Sequence, residues 1–140
     1  MRDIKLLNLN HDNSISVNLK EISSVQGTEN LVQKVVKCLL TSKHSNIFIE
    51  NYGSQFNQIH LIVDKNLVDR IKQFIPLIID DITEQIKKEQ AQQIINGIEI
   101  PNSELLESIE IESIDYDQMF NVWLIKLNIN TKSSNINISI

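Results

Sequence analysis

The sequence predicts an α+β fold, a small mixed β-sheet packed on two main helices at about 28–41 and 66–95, with C-terminal strands at about 107–116, 119–130 and 135–140. Three observations lead there. From Gly27 to Thr41, and again from Asn66 to Ile95, apolar residues recur at steps of three and four, the period of a helix with one buried stripe. Ile15, Val17 and Leu19 alternate with Ser16, Asn18 and Lys20, and Ile136, Ile138 and Ile140 with Asn135, Asn137 and Ser139, which is the period of a half-buried strand. At 140 residues the chain is long enough for one domain, 1–140, with a real core, and its single cysteine excludes an internal disulfide.

In chain order, Ile4 to Asn10 forms a short strand, His11-Asp12-Asn13-Ser14 a turn of side chains that bond nearby backbone, and Ile15 to Leu19 the returning strand of a hairpin. Gly27 and Thr28 cap the first helix, with Glu29 at the positive end of its dipole. Asn30, Gln33, Lys34 and Lys37 share its polar face, and Leu31, Val32, Val35, Val36, Cys38, Leu39 and Leu40 its apolar one. Ile47-Phe48-Ile49 suits a short strand or a packed loop, Tyr52-Gly53-Ser54 forces a turn, and Gln58 to Val63 fits either an extended segment or a helix. Asn66 and Asp69 offer a reciprocal cap to the second helix, whose stripe runs Leu67, Ile71, Phe74 or Ile75, Ile78, Ile82, Ile86. Pro76 removes a backbone donor and predicts a kink or break near Phe74-Ile75. Lys87 to Gln93 reads as solvated surface, Asn96-Gly97 as the stop, and Asp115 to Gln118 as the turn between two strands that carry Ile109, Ile111, Val122, Leu124, Leu127 and Ile129. The chain has 25 isoleucines and 16 asparagines against one alanine, a codon-like bias that weakens isoleucine as a strand signal.

Composition excludes more than it assigns. Net charge is −5 with both signs interspersed and only two arginines, Arg2 and Arg70, so no nucleic-acid partner is expected. No apolar run approaches the roughly 18 residues that span a bilayer, and no signal-peptide pattern follows Met1, so no membrane partner is expected and the chain belongs in a reducing cytoplasm. His11, His44 and His60 are too far apart to suggest a metal site, and no nucleophile-elbow, zincin or phosphate-loop pattern occurs, so neither cofactor nor catalytic residue is expected. Cys38 reads as a buried, inert thiol, and Trp123 and Phe120 as core.

One constellation is more specific. Gly27, Leu31, Gln33, Val35 and Leu39-Leu40-Thr41 form a Gly-x-x-x-Leu-x-Gln-x-Val-x-x-x-Leu-Leu-Thr helix, followed after a fixed interval by Tyr52-Gly53. In order and spacing this resembles the sheath-initiator family of contractile phage tails, baseplate wedge proteins long described as lysozyme-like; bacteriocins and other contractile injection systems share the pattern. Departures exist: His44-Ser45 and Glu50-Asn51 stand where many members have Gly-Glu and a proline, the Glu-Pro-Arg that helps join members to the central wedge is absent, and about 87–107 looks like a family-variable insertion.

The resemblance implies a structural, non-enzymatic protein of the virion tail baseplate, assembled in the host cytoplasm. Its partners would be tail sheath protein, baseplate wedge proteins and, beyond these, tail tube proteins, with multiple copies, six, around the tail. Its sheet would accept strands from the first sheath ring, with Ile136, Ile138 and Ile140 as candidate interface. By periodicity alone the favoured reading is that this strand closes its own sheet, in which case it could not be removed without unfolding the domain. Two alternatives are a peptidoglycan hydrolase, for which Glu104, Glu107, Glu110 and Glu112 are the acids at hand though a solvated charge run explains them, and a small adaptor domain.

Overall fold

The computed structural model describes residues 27–45, 51–59 and 67–140 and, as backbone pairing only, 3–4, 7–9, 15–17 and 24–25. Among them the chain is α+β. Near the N-terminus β1 (Asp3–Ile4) pairs antiparallel with β4 (Ser24–Val25), and β2 (Leu7–Leu9) with β3 (Ile15–Val17), so the expected hairpin is present and nested inside a second pairing that the sequence did not announce. The helices are α1 (Thr28–Leu40), α2 (Phe56–Ile59) and α3 (Val68–Ile95), and β5 (Leu106–Asp117), β6 (Val122–Thr131) and β7 (Asn135–Ser139) form an antiparallel sheet in that order.

β5 packs on α3, and α3 on α1, so a single apolar cluster joins both helices to the sheet. From α3 it takes Ile71, Ile75, Ile78, Ile79, Ile82 and Ile86, a stripe at helical spacing; from β6 it takes Trp123, Ile125, Leu127 and Ile129, which alternate along one face. Two β-bulges in β5, between Leu106 and Ser108 and between Ile111 and Ser113, each insert one extra residue. They matter because the apolar residues Leu106, Ile109, Ile111, Ile114 and Tyr116 are spaced alternately by three and two, and a regular strand would turn half of them to the wrong face. With the bulges, Ile109 faces Ile129, Ile111 faces Leu127, Ile114 faces Ile125 and Tyr116 faces Trp123. The Tyr116 and Trp123 rings lie 4.8 Å apart, centre to centre.

Several expectations are corrected. α1 ends at Leu40 with Thr41 as its cap, and its polar and apolar faces are not those of the sequence pattern: Asn30 and Gln33 are buried, and Leu40 is exposed. α3 begins at Val68 with Leu67 in the cap position and no side-chain cap bond; Asn66 lies outside the described residues. α3 runs unbroken through Pro76, whose ring faces solvent, so the missing hydrogen bond is confined to the wet side, and Phe74 is exposed while Ile75 takes the core position. Gln58 and Ile59 are helical. The hairpin turn falls after Asp117, three residues later than expected, and Phe120 is exposed at its tip. Gln90 is buried within the stretch expected to be solvated, and so is Glu104 among the expected surface acids. Asn96-Gly97 does end α3: Gly97 has φ +83°, its N–H donates to Ile94 O and that of Ile98 to Gln93 O, closing the last turn. Residues 11–14, 46–50 and 60–66, which hold the expected first turn, Ile47-Phe48-Ile49, His11 and His60, lie outside the described residues.

Candidate functional site

The residues that carry the resemblance run the length of α1, and the last of them, Thr41, meets Gly53 at the C-terminal end of the helix. Leu31, Gln33, Val35 and Leu39 are buried along the helix, and Gly27 precedes its first turn. Thr41 closes the helix by donating from N–H and Oγ1 to Lys37 O, at 3.0 and 2.6 Å. Its own carbonyl accepts the Ser54 N–H at 2.8 Å, and Ser42 and Ser54 form a single parallel bridge. Gly53 has φ +105°, and a Cβ there would press into the Thr41 carbonyl and the Ser42 backbone, so only glycine fits this crossing. Ser54 Oγ donates to Leu39 O at 2.5 Å and accepts from Phe56 N–H at 3.1 Å. Gln85 of α3 closes the group from the other side, its Nε2 donating to Gly53 O at 2.9 Å and its Oε1 accepting from Gly53 N–H at 3.1 Å and from Cys38 Sγ at 3.5 Å. Lys43 pairs with Asp81 at 2.7 Å beside it. These bonds lock two connections to α3 and leave Tyr52 half-buried against the core.

At the opposite end of α1 a second polar tie was not visible in the sequence. Glu104 accepts Gly27 N–H at 2.6 Å and Asn30 Nδ2 at 3.2 Å, placing a carboxylate at the helix N-terminus where the dipole favours it. Gln90 Nε2 donates to Glu104 O at 2.6 Å and Gln90 Oε1 accepts from Leu106 N–H at 3.0 Å, so α3, the 96–105 connection and α1 are joined through two side chains. Glu107, Glu110 and Glu112, its neighbours in sequence, are exposed.

The third location is the edge of the sheet. Ile138 is buried, and Ile136 and Ile140 are partly buried against the core, opposite Leu127, Ile129 and Ile125. Ile140 extends the ladder past β7, exchanging both backbone hydrogen bonds with Ile125 at 2.8 and 2.9 Å. In an antiparallel ladder backbone groups point alternately to the two sides, so Ile136, Ile138 and Ile140 bond β6 while the N–H and C=O of Asn135, Asn137 and Ser139 point away from it. Among the described residues no strand pairs with that side. The isoleucines singled out in the sequence therefore supply the inner face, and the asparagines and serine between them hold the open backbone. β5 is the other edge, and its two bulges make it a poor template, whereas β7 is regular.

Cys38 is fully buried, and that burial pushes its thiol up to about 11, with Asp81 and Glu89 adding to the rise and a hydrogen bond from Gly53 opposing it. His44 is exposed with φ +66°. Among the described residues no three His, Cys, Asp or Glu side chains gather as a metal-holding group, and no helix is long and apolar enough to cross a membrane. Comparisons with protein-family models, with curated proteins and with solved structures found no match to this chain.

Proposed function

We propose that the protein is a structural component of a contractile tail baseplate, a sheath initiator that accepts a strand of the first sheath ring on the β7 edge and so nucleates sheath assembly. The observation that carries the reading is the regular edge itself: Asn135, Asn137 and Ser139 turn N–H and C=O outward from a strand whose alternate residues are fixed in the core. An added strand would find a rigid template, so little ordering cost falls on this partner. The resemblance of Gly27 to Thr41 and Tyr52-Gly53 to the family motif supports the same reading, since in this chain Thr41 and Gly53 meet in one backbone crossing. Against the hydrolase alternative stands Glu104, which is already occupied in holding α1.

The test is nucleation of purified sheath protein on baseplates that carry this chain. Asn137→Pro removes an outward N–H and places a ring on the open edge without touching the inner face. Sheath attachment should fail with the variant while its circular dichroism is unchanged. Normal sheath growth on Asn137→Pro baseplates, or on baseplates lacking the chain, would sink the proposal.

A further inference from the structure

The β5–β6 hairpin ends in an apolar tip. Met119 is 85% exposed and Phe120 71%, and Val122 and Leu124 continue the exposed strip on the sheet face opposite Trp123. This tip is built. Asp117 Oδ1 accepts the N–H of Met119 at 2.9 Å and of Phe120 at 3.4 Å, the Tyr116 hydroxyl bonds the Asn121 side chain, and Asn121 takes φ +52°. Two apolar side chains held out in water by a bonded turn are an interaction surface rather than loose loop. Asp115 and Asp117, cross-strand from Leu124 and Val122, make its rim acidic.

The same molecule carries a complementary recess. Between α2 and the first turns of α3 lies an open groove of about 300 Å³, lined by Ile59, Leu67, Ile71 and Phe74, with Arg70 among its lining residues. Arg70 is exposed and makes no ion pair among the described residues. β5 starts beside Gln90 and packs on α3; its eleven steps from Leu106 to Asp117 reach about 36 Å, and the twenty-two steps from Gln90 back to Val68 about 33 Å, so a strand retracing α3 brings the hairpin turn to the level where α3 begins, the end that holds the groove. A projecting element and its receptor at the same end suit a two-fold arrangement, in which each copy gives and receives once.

We infer that two copies of this chain associate about a two-fold axis, each seating Met119 and Phe120 in the α2–α3 groove of the other with its acidic rim against Arg70. The inference goes beyond the sheath-initiator reading and does not rest on it. Sedimentation velocity of the full chain, from micromolar to sub-millimolar concentration, should show a monomer–dimer equilibrium. Phe120→Ser and Arg70→Glu, both at exposed positions, should each weaken the dimer by more than about tenfold with unchanged circular dichroism. Mixing the two variants should restore dimer above either alone, because the mixed pair keeps one intact tip and one intact groove in register. A chain that stays monomeric throughout, whatever else its tip binds, would overturn the proposal. So would a dimer indifferent to both substitutions, or a mixture no tighter than its components.

Discussion

Two glycines with the same left-handed backbone show how local geometry sets the cost of a side chain. At Gly97 a Cβ would meet nothing within 4 Å, so Gly97→Ala should cost only the backbone penalty, about 1–2 kcal/mol. At Gly53 the same methyl enters the Thr41 carbonyl and the crossing must open, which also strains the Gln85 bonds; Gly53→Ala should cost about 3 kcal/mol or more. Urea denaturation of both variants checks the ordering, and equal losses would mean the crossing is not as tight as its geometry. Glu104→Ala should cost about 2–3 kcal/mol because it strips buried partners from Gly27 N–H and Asn30, whereas Glu107→Ala on the exposed strand should fall within about 0.5 kcal/mol of the parent. None of this distinction was readable in a run of similar glutamates, since Glu104 meets its partners 74 and 77 residues away in sequence. Cys38 was readable, because an apolar neighbourhood at helical spacing already implies desolvation. With the folded thiol at about 11 against an ordinary value of 9.0, burial of the neutral thiol adds stability that is complete below about pH 9 and is lost as pH rises through the folded value. The parent should therefore lose more stability than Cys38→Ala between about pH 9 and 11, and a thiol reagent at about pH 8 should label Cys38 only after denaturant is added; rapid labelling of the folded chain would contradict the burial.

At the scale of the element, periodicity located what packing alone decides and missed what depends on interruptions. The α3 stripe from Ile71 to Ile86 follows directly from its spacing. Continuity through Pro76 does not, because a proline pattern cannot say which side of the helix faces water; here it is the proline side, and tertiary packing of Ile75, Ile78 and Ile79 on either side holds the helix together. Pro76→Ala should restore a donor at little packing cost and stabilise the domain by about 2 kcal/mol, visible as a raised urea midpoint. A loss of stability would show that the chain needs a bend there. β5 is the converse case. Its three-two spacing looked like imperfect alternation, and only the partner strand reveals that two bulges convert it into a continuous face. β7 unites the two readings that alternation left open: Ile138 is 1% exposed, so removing 135–140 should cost the two-state transition altogether, while the outward backbone of Asn137 stays available. A truncated chain that keeps its cooperative unfolding would make the strand an accessory rather than part of the core.

For the whole molecule, the polar ties and the apolar cluster argue for one cooperative unit. Glu104 and Gln90 fasten the start of α1 to the start of β5, Gln85 and Gly53 fasten its end to the middle of α3, and Ile82, about one turn before Gln85 on α3, has no exposed surface. Trp123, the only tryptophan, is buried on β6 and reports the sheet, while far-ultraviolet circular dichroism reports mainly α1 and α3. If helices and sheet share one core, the two probes should trace a single transition. Ile82→Ala, which removes a fully buried side chain from the helix, should then move the tryptophan transition and the helical one together, by about 3–4 kcal/mol. The placement of α1, α3 and the sheet could be anticipated from apolar spacing, but their union into one unit could not, because it rests on side-chain amides and a carboxylate that sequence assigns to solvent. Separate transitions, with Ile82→Ala shifting only the circular dichroism, would mean that the β5–β6–β7 sheet folds on its own and that the ties through Glu104 and Gln90 couple it to the helices only weakly.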